Sequence, residues 1–191
     1  MLRYLDVQNI LDKNDLILQE SGCVGSENER GNTYMKKIGI VTDSHSSISQ
    51  EEAEKLGIFV LPMPFYIDGE CYYESVTLSR ELFFEKLAAG ADITTSQPSP
   101  TAVMEIWDKA LEQFEKILYM PISSGLSGSY ETAMMLAKDE AYEGRVLVVD
   151  DGQVAAPLHQ MVLDTLDMIE KGYEAEQIRD CLLYTSDAAD E

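Results

Sequence analysis

Basic side chains are scarce in this 191-residue chain, where 14 lysines and arginines face 35 aspartates and glutamates for a formal charge of −21. So negative a surface repels phosphates, whose counterions it has no means to release, and this argues against nucleic acid or an anionic membrane as a direct partner. Cysteine is equally sparse. Cys23, Cys71 and Cys181 are too few and too widely spaced for a disulfide framework or a Cys-based metal site. No apolar run is long enough to span a bilayer, and no charged-then-apolar leader is visible, so stable membrane insertion is not expected and the expected compartment is the cytosol. The only histidines are His45 and His159, which leaves little material for a general base. Neither G-x-G-x-x-G nor G-x-x-x-x-G-K-[ST] occurs, which disfavours a nucleotide-binding enzyme. Gly125-Leu126-Ser127-Gly128-Ser129 fails the G-x-S-x-G elbow at its last position. No catalytic residue, metal or cofactor is therefore expected.

The two ends read differently from the middle. Residues 181–191, CLLYTSDAADE, resemble a translated sequencing adapter and are expected to be a scar. Met35-Lys36-Lys37 precedes the apolar run IGIV in the manner of a bacterial start, so residues 1–34 are expected to be upstream sequence; a helix there is the competing reading, from the spacing of Tyr4, Leu5, Val7, Ile10 and Leu11. Setting both ends aside removes nine acids and three bases, and residues 35–180 keep a charge of −15. That length suits one α/β lobe over 35–172, with 173–180 expected to open a second lobe.

Within this middle the elements alternate as in a mostly parallel sheet with helices on both faces. Strands are predicted at Ile38–Val41, Ile58–Met63, Ile117–Met120 and Val146–Val149. Asp68-Gly69 signals a hairpin turn. Ser49 with Glu52 predicts a capping box for a helix ending near Gly57. Further helices are predicted at Ser79–Ala88, at Thr101–Phe114 with Val103, Ile106, Trp107, Ala110, Leu111 and Phe114 on one face, and around Tyr130–Ala137. A last clear helix carries Leu158, Met161, Val162, Thr165, Leu166 and Ile169 and stops at Gly172, with another beginning near Glu174.

Hydroxyl-rich clusters are predicted where strands end, the place at which open α/β sheets bind ligands. They are Thr42-Asp43-Ser44, the seven residues TTSQPSP from Thr94 to Pro100, and SSGLSGS from Ser123 to Ser129. Each also has a structural reading. Ser99 before Pro100 is an ordinary helix cap, Ser127 can cap likewise, and Thr-Asp-Ser is often a turn. Together they make a receptor for a carboxylate or phosphate from backbone N–H groups and helix dipoles.

The runs IVTDS, VLPM…Y..DGE..Y, TSQPSP, ISSGLSGSYETA and VVDD, in that order, resemble the DegV family over residues 36–180. The resemblance implies a two-lobed α/β protein that encloses a long-chain fatty acid with its carboxyl group between the lobes, and presents it to a separate fatty acid kinase catalytic subunit. It implies that Ser96 hydrogen-bonds the carboxyl group, assisted by a hydroxyl residue just after the second strand. That position is Pro64 here, which has neither hydroxyl nor N–H. Two other stretches also depart from the family pattern, Ser47-Ile48 and Asp150-Asp151. The fatty-acid-binding set expected is Ser96, Thr95, Pro64, Ser124, Gly125 and Ser127, with Thr42, Asp43 and Ser44 as a supporting loop.

The ligand that the resemblance implies has a physical rationale. Burial is worth about 0.8 kcal/mol per methylene, so a tail of roughly fifteen carbons offers about 12 kcal/mol gross. A carboxylate buried without partners opposes this, so donors must be fixed at the pocket mouth. Thr95 and Ser96 supply hydroxyls there, and Pro98 and Pro100 restrict the loop that carries them. The competing reading is a module for another small anion, such as a phosphorylated metabolite.

Overall fold

The computed structural model describes residues 36–73, 76–150 and 152–187. Residues 1–34, Asp151 and the end of the suspected adapter lie outside them.

Strand β1 (Lys36–Asp43) is buried from Ile38 onward and forms the centre of a four-stranded parallel sheet with β2 (Phe59–Leu61), β6 (Phe114–Met120) and β7 (Val146–Val148), in the order β2-β1-β6-β7. The continuous apolar runs follow from having two covered faces. Val41, Phe59, Leu61, Ile117, Tyr119, Val146 and Val148 meet α3 (Pro100–Gln113) and α4 (Ser129–Leu136) on one side. On the other, Ile38, Ile40, Val60, Leu118, Met120 and Leu147 meet α1 (Gln50–Leu56), α5 (Ala156–Glu170) and α6 (Ala175–Asp187). Period-two alternation along each strand sorts these sets. The predicted parallel sheet with helices on both faces is therefore present, and α6, carrying Ala175, Ile178 and Leu182 into the second core, runs unbroken across position 181.

Between β2 and α3 the chain builds a second, antiparallel sheet of order β4-β3-β5, from β3 (Pro64–Ile67), β4 (Glu70–Tyr73) and β5 (Ile93–Thr95), with α2 (Arg80–Ala88) between β4 and β5. The β3–β4 turn has Asp68 at φ 52° and Gly69 at φ 83°, the left-handed pair a tight hairpin needs. The second predicted strand, expected to run to Met63, stops at Leu61. Pro62 and Pro64 have no N–H to offer a ladder, so the chain leaves the parallel sheet there and enters the other. Strand β5 was not anticipated.

Local signals otherwise act as chemistry dictates. Ser49 Oγ accepts from Glu52 N–H at 3.1 Å and Gly57 closes α1 at φ 67°. The carboxylate of Glu52 does not complete a capping box, however; it lies 3.1 Å from His159 Nε2 and ties α1 to α5. Gly172, at φ 84°, ends α5 through Gly172 N–H to Ile169 O and Tyr173 N–H to Met168 O.

Gly39 is a point of close approach, since a Cβ there would stand 2.6 Å from the ring of Phe114, where α3 ends and β6 begins. That ring is itself buried and packed edge-on against Phe59. Gly39→Ala is expected to cost about 1–3 kcal/mol through overpacking. Urea unfolding should show a lowered midpoint with an unchanged slope, and a variant as stable as the parent would contradict this packing.

Candidate functional site

The strand order reverses between β1 and β6, because α1 carries the chain from β1 outward to β2 while β6 and β7 lie on the other side. A crevice outside the carboxyl ends of two such strands is the expected ligand position in an open α/β sheet. Thr42-Asp43-Ser44 and the 121–128 loop stand at those ends.

Asp43 is fully buried, and its side chain bridges the two strand ends. Oδ1 accepts from His45 N–H at 2.9 Å and Oδ2 from Ile122 N–H at 2.8 Å. Thr42 Oγ1 donates to Met120 O at 2.8 Å, and Ser44 Oγ accepts from Met63 N–H at 3.2 Å. The Asp43 charge also reaches Tyr119, whose phenol is raised well above its usual range, first by burial and then by that charge. These three residues thus hold loops to one another.

The SSGLSGS loop folds around Ser123. Its carbonyl accepts from Leu126 and Ser127 N–H, its hydroxyl from Gly125 N–H at 3.2 Å, and its own N–H donates to Gln153 O. Ser124 N–H donates to Asp150 Oδ1 at 3.2 Å. Ser127 is not the helix cap: Gly128 holds that position, while Ser127 Oγ accepts from Ser129 N–H and lies 2.8 Å from Ser129 Oγ. A hydroxyl so placed serves the loop's own turn.

TTSQPSP spans a strand end and a helix start. Thr95 pairs with Phe65 at the end of β5, and the next N–H, that of Ser96, donates to Pro64 O at 3.3 Å. Ser96 and Pro64 therefore face each other, as pairing between β3 and β5 requires. Pro98 is buried, and Ser99 Oγ caps α3 by accepting from Ala102 N–H at 3.2 Å. Ser96 is exposed, with its hydroxyl donating to the adjacent Gln97 carbonyl at 3.0 Å. Gln97 brings the two loops together, its Oε1 lying 2.9 Å from where a Gly128 Cβ would stand.

Ser96, Thr95 and Pro64 are thus neighbours, and the Gln97 contact sets them beside the loop that carries Ser124, Gly125 and Ser127. The binding set expected from sequence left out Gln97, Gly128, Ser123 and Asp150, although the stretches that contain them had been singled out. A glycine set between two serines just before a helix was the available signal for Gly128. Among the described residues no cluster of His, Cys, Asp or Glu is placed to hold a metal, and no helix is long and apolar enough to cross a membrane.

Removing the Asp43 carboxylate leaves Ile122 N–H without its acceptor beneath both loops. Asp43→Ala is expected to lower stability by about 2–4 kcal/mol, read by chemical denaturation, whereas Ser99→Ala should cost about 1 kcal/mol. Equal effects of the two would refute the bridging role.

A DegV domain-containing protein of Caldanaerobacter subterraneus is 34% identical over 144 residues, which cover 75% of this chain and 51% of that one. A Thermus thermophilus DegV family structure, described for its fatty acid binding, superposes with a TM-score of 0.71 at 32% identity, covering 78% of this chain and 53% of its own. A stearic-acid-binding protein of Eubacterium ventriosum superposes with a TM-score of 0.66 at 26% identity, over 78% of this chain and 52% of that one. The chain spans about half the length of the curated relatives it matches. The model of the family described as "Uncharacterised protein, DegV family" matches residues 37–189, and the chain belongs to the DegV family.

Proposed function

We propose that this chain supplies the carboxylate-holding part of a fatty-acid carrier, which binds a long-chain fatty acid and presents its head group to a separate fatty acid kinase in the cytosol. The carrying observation is the exposed Ser96 hydroxyl, whose own N–H is seated on Pro64 O and whose neighbour Gln97 meets the loop at Gly128. In this reading the Ser96 hydroxyl turns from the Gln97 carbonyl to the ligand, exchanging a neutral acceptor for a charged and stronger one. The Thermus thermophilus and Eubacterium ventriosum proteins, both described as fatty-acid binders, support the choice of ligand. The protein acts here as a carrier and not as an enzyme, and it needs no cofactor. A second lobe, of the kind that the longer relatives have room for, would cover the acyl chain.

Titration of the delipidated protein expressed from its complete gene tests the assignment. Ser96→Ala removes one hydrogen bond to a charged group, worth about 1.5–3 kcal/mol, so affinity should fall roughly tenfold to a hundredfold with the fold retained. Ser99→Ala should lose only cap stability and bind as the parent does. If Ser96→Ala bound like the parent while Ser99→Ala lost the ligand, the carboxylate would belong elsewhere on TTSQPSP. Extraction of the purified protein separates the ligand classes: a co-purifying fatty acid supports the carrier, and a polar anion supports the small-anion module.

A further inference from the structure

Pro64 leaves a gap in the head-group chemistry. It lacks an N–H, and its carbonyl already accepts from Ser96 N–H at 3.3 Å. A carboxylate has about four lone-pair sites, of which the Ser96 hydroxyl can fill one. Besides Thr95, the neighbouring side-chain donor is the amide of Gln97, which is exposed and has no side-chain hydrogen bond among the described residues.

An amide side chain has an acceptor end and a donor end. The acceptor end of Gln97 lies against the bare Cα of Gly128, with Oε1 2.9 Å from the position a Cβ would take. Its two Nε2 hydrogens remain unspent. Gly128 has φ −73°, a backbone conformation open to any residue, so backbone strain does not explain a glycine there. Room for the Gln97 amide does.

Resting on the fatty acid reading above, we propose that Gln97 Nε2 is the second donor to the ligand carboxylate, in the part for which Pro64 has no hydroxyl, and that Gly128 is the seat that holds the amide for it. Adjacent residues Ser96 and Gln97 then supply one hydroxyl and one amide to the same head group. The arrangement specifies an acid over its ester or alcohol, since both donors favour a charged acceptor.

Palmitate titration of the delipidated protein from its complete gene decides the matter. Gln97→Met preserves length and packing on Gly128 while removing the donors, and should weaken palmitate binding about tenfold without changing the melting temperature. In Gly128→Ala the new Cβ crowds only the far end of the Gln97 side chain, so the amide moves and a similar loss is expected. The double variant should be no weaker than either single one, because both remove the same contact. Parent-like binding by Gln97→Met, a melting temperature that falls with it, or losses that multiply in the double variant would each overturn the proposal. A parent protein that binds no palmitate would overturn the fatty acid reading itself, and this inference with it.

Discussion

A single buried carboxylate holds together the edge of the parallel sheet at which two of the candidate loops stand. Asp43 sits at the end of the central strand and accepts N–H groups from its own following turn and from the segment after β6. The sheet ladder cannot join these segments, because each has already left its strand. A charged acceptor with two satisfied oxygens is stronger than a neutral one, and here it offsets the cost of burying the charge. The Thr42 and Ser44 contacts extend the same function to β6 and to the approach to β3. The position of the candidate loops therefore depends on an acid whose two oxygens both serve the backbone.

A chain of net charge −21 has little electrostatic attraction for any anion. Under the fatty acid reading, recognition of the head group falls to neutral donors at short range, and the affinity comes from the tail. A small polar anion would meet the same unfavourable field with no methylenes to bury, and tail burial is worth about 0.8 kcal/mol for each one. The acidic surface thus favours an amphiphile over a metabolite phosphate at the same loops.

Much of the fold was legible because its determinants are local. Unbroken apolar strands, Asp68-Gly69, the Ser49 and Ser99 caps and the Gly57 and Gly172 stops each act within a few residues of themselves. Strand β5 escaped notice because three residues, two of them exposed threonines, carry no periodicity of their own. Its existence depends on pairing with β3, a segment distant in sequence. The same limit applies to the site: the loops could be read from strand ends, whereas Ser96 opposite Pro64 and Gln97 upon Gly128 are long-range facts. Glu52 shows the reverse, a local capping signal overruled by a tertiary partner, His159.

The junction between α3 and β6 contains no loop, for Phe114 is both the cap of the helix and the first residue of the strand. The 14-residue helix is about 21 Å long and behaves mechanically as a stiff rod. One end carries the Ser99 cap beside the candidate head-group residues, and the other is anchored where Phe114 abuts Gly39. Tilting the capped end means levering that ring against the middle of the central strand. The candidate loop and the Phe114 contact are thus the two ends of one helix, so a change of packing at one end is felt at the other through a single rigid element.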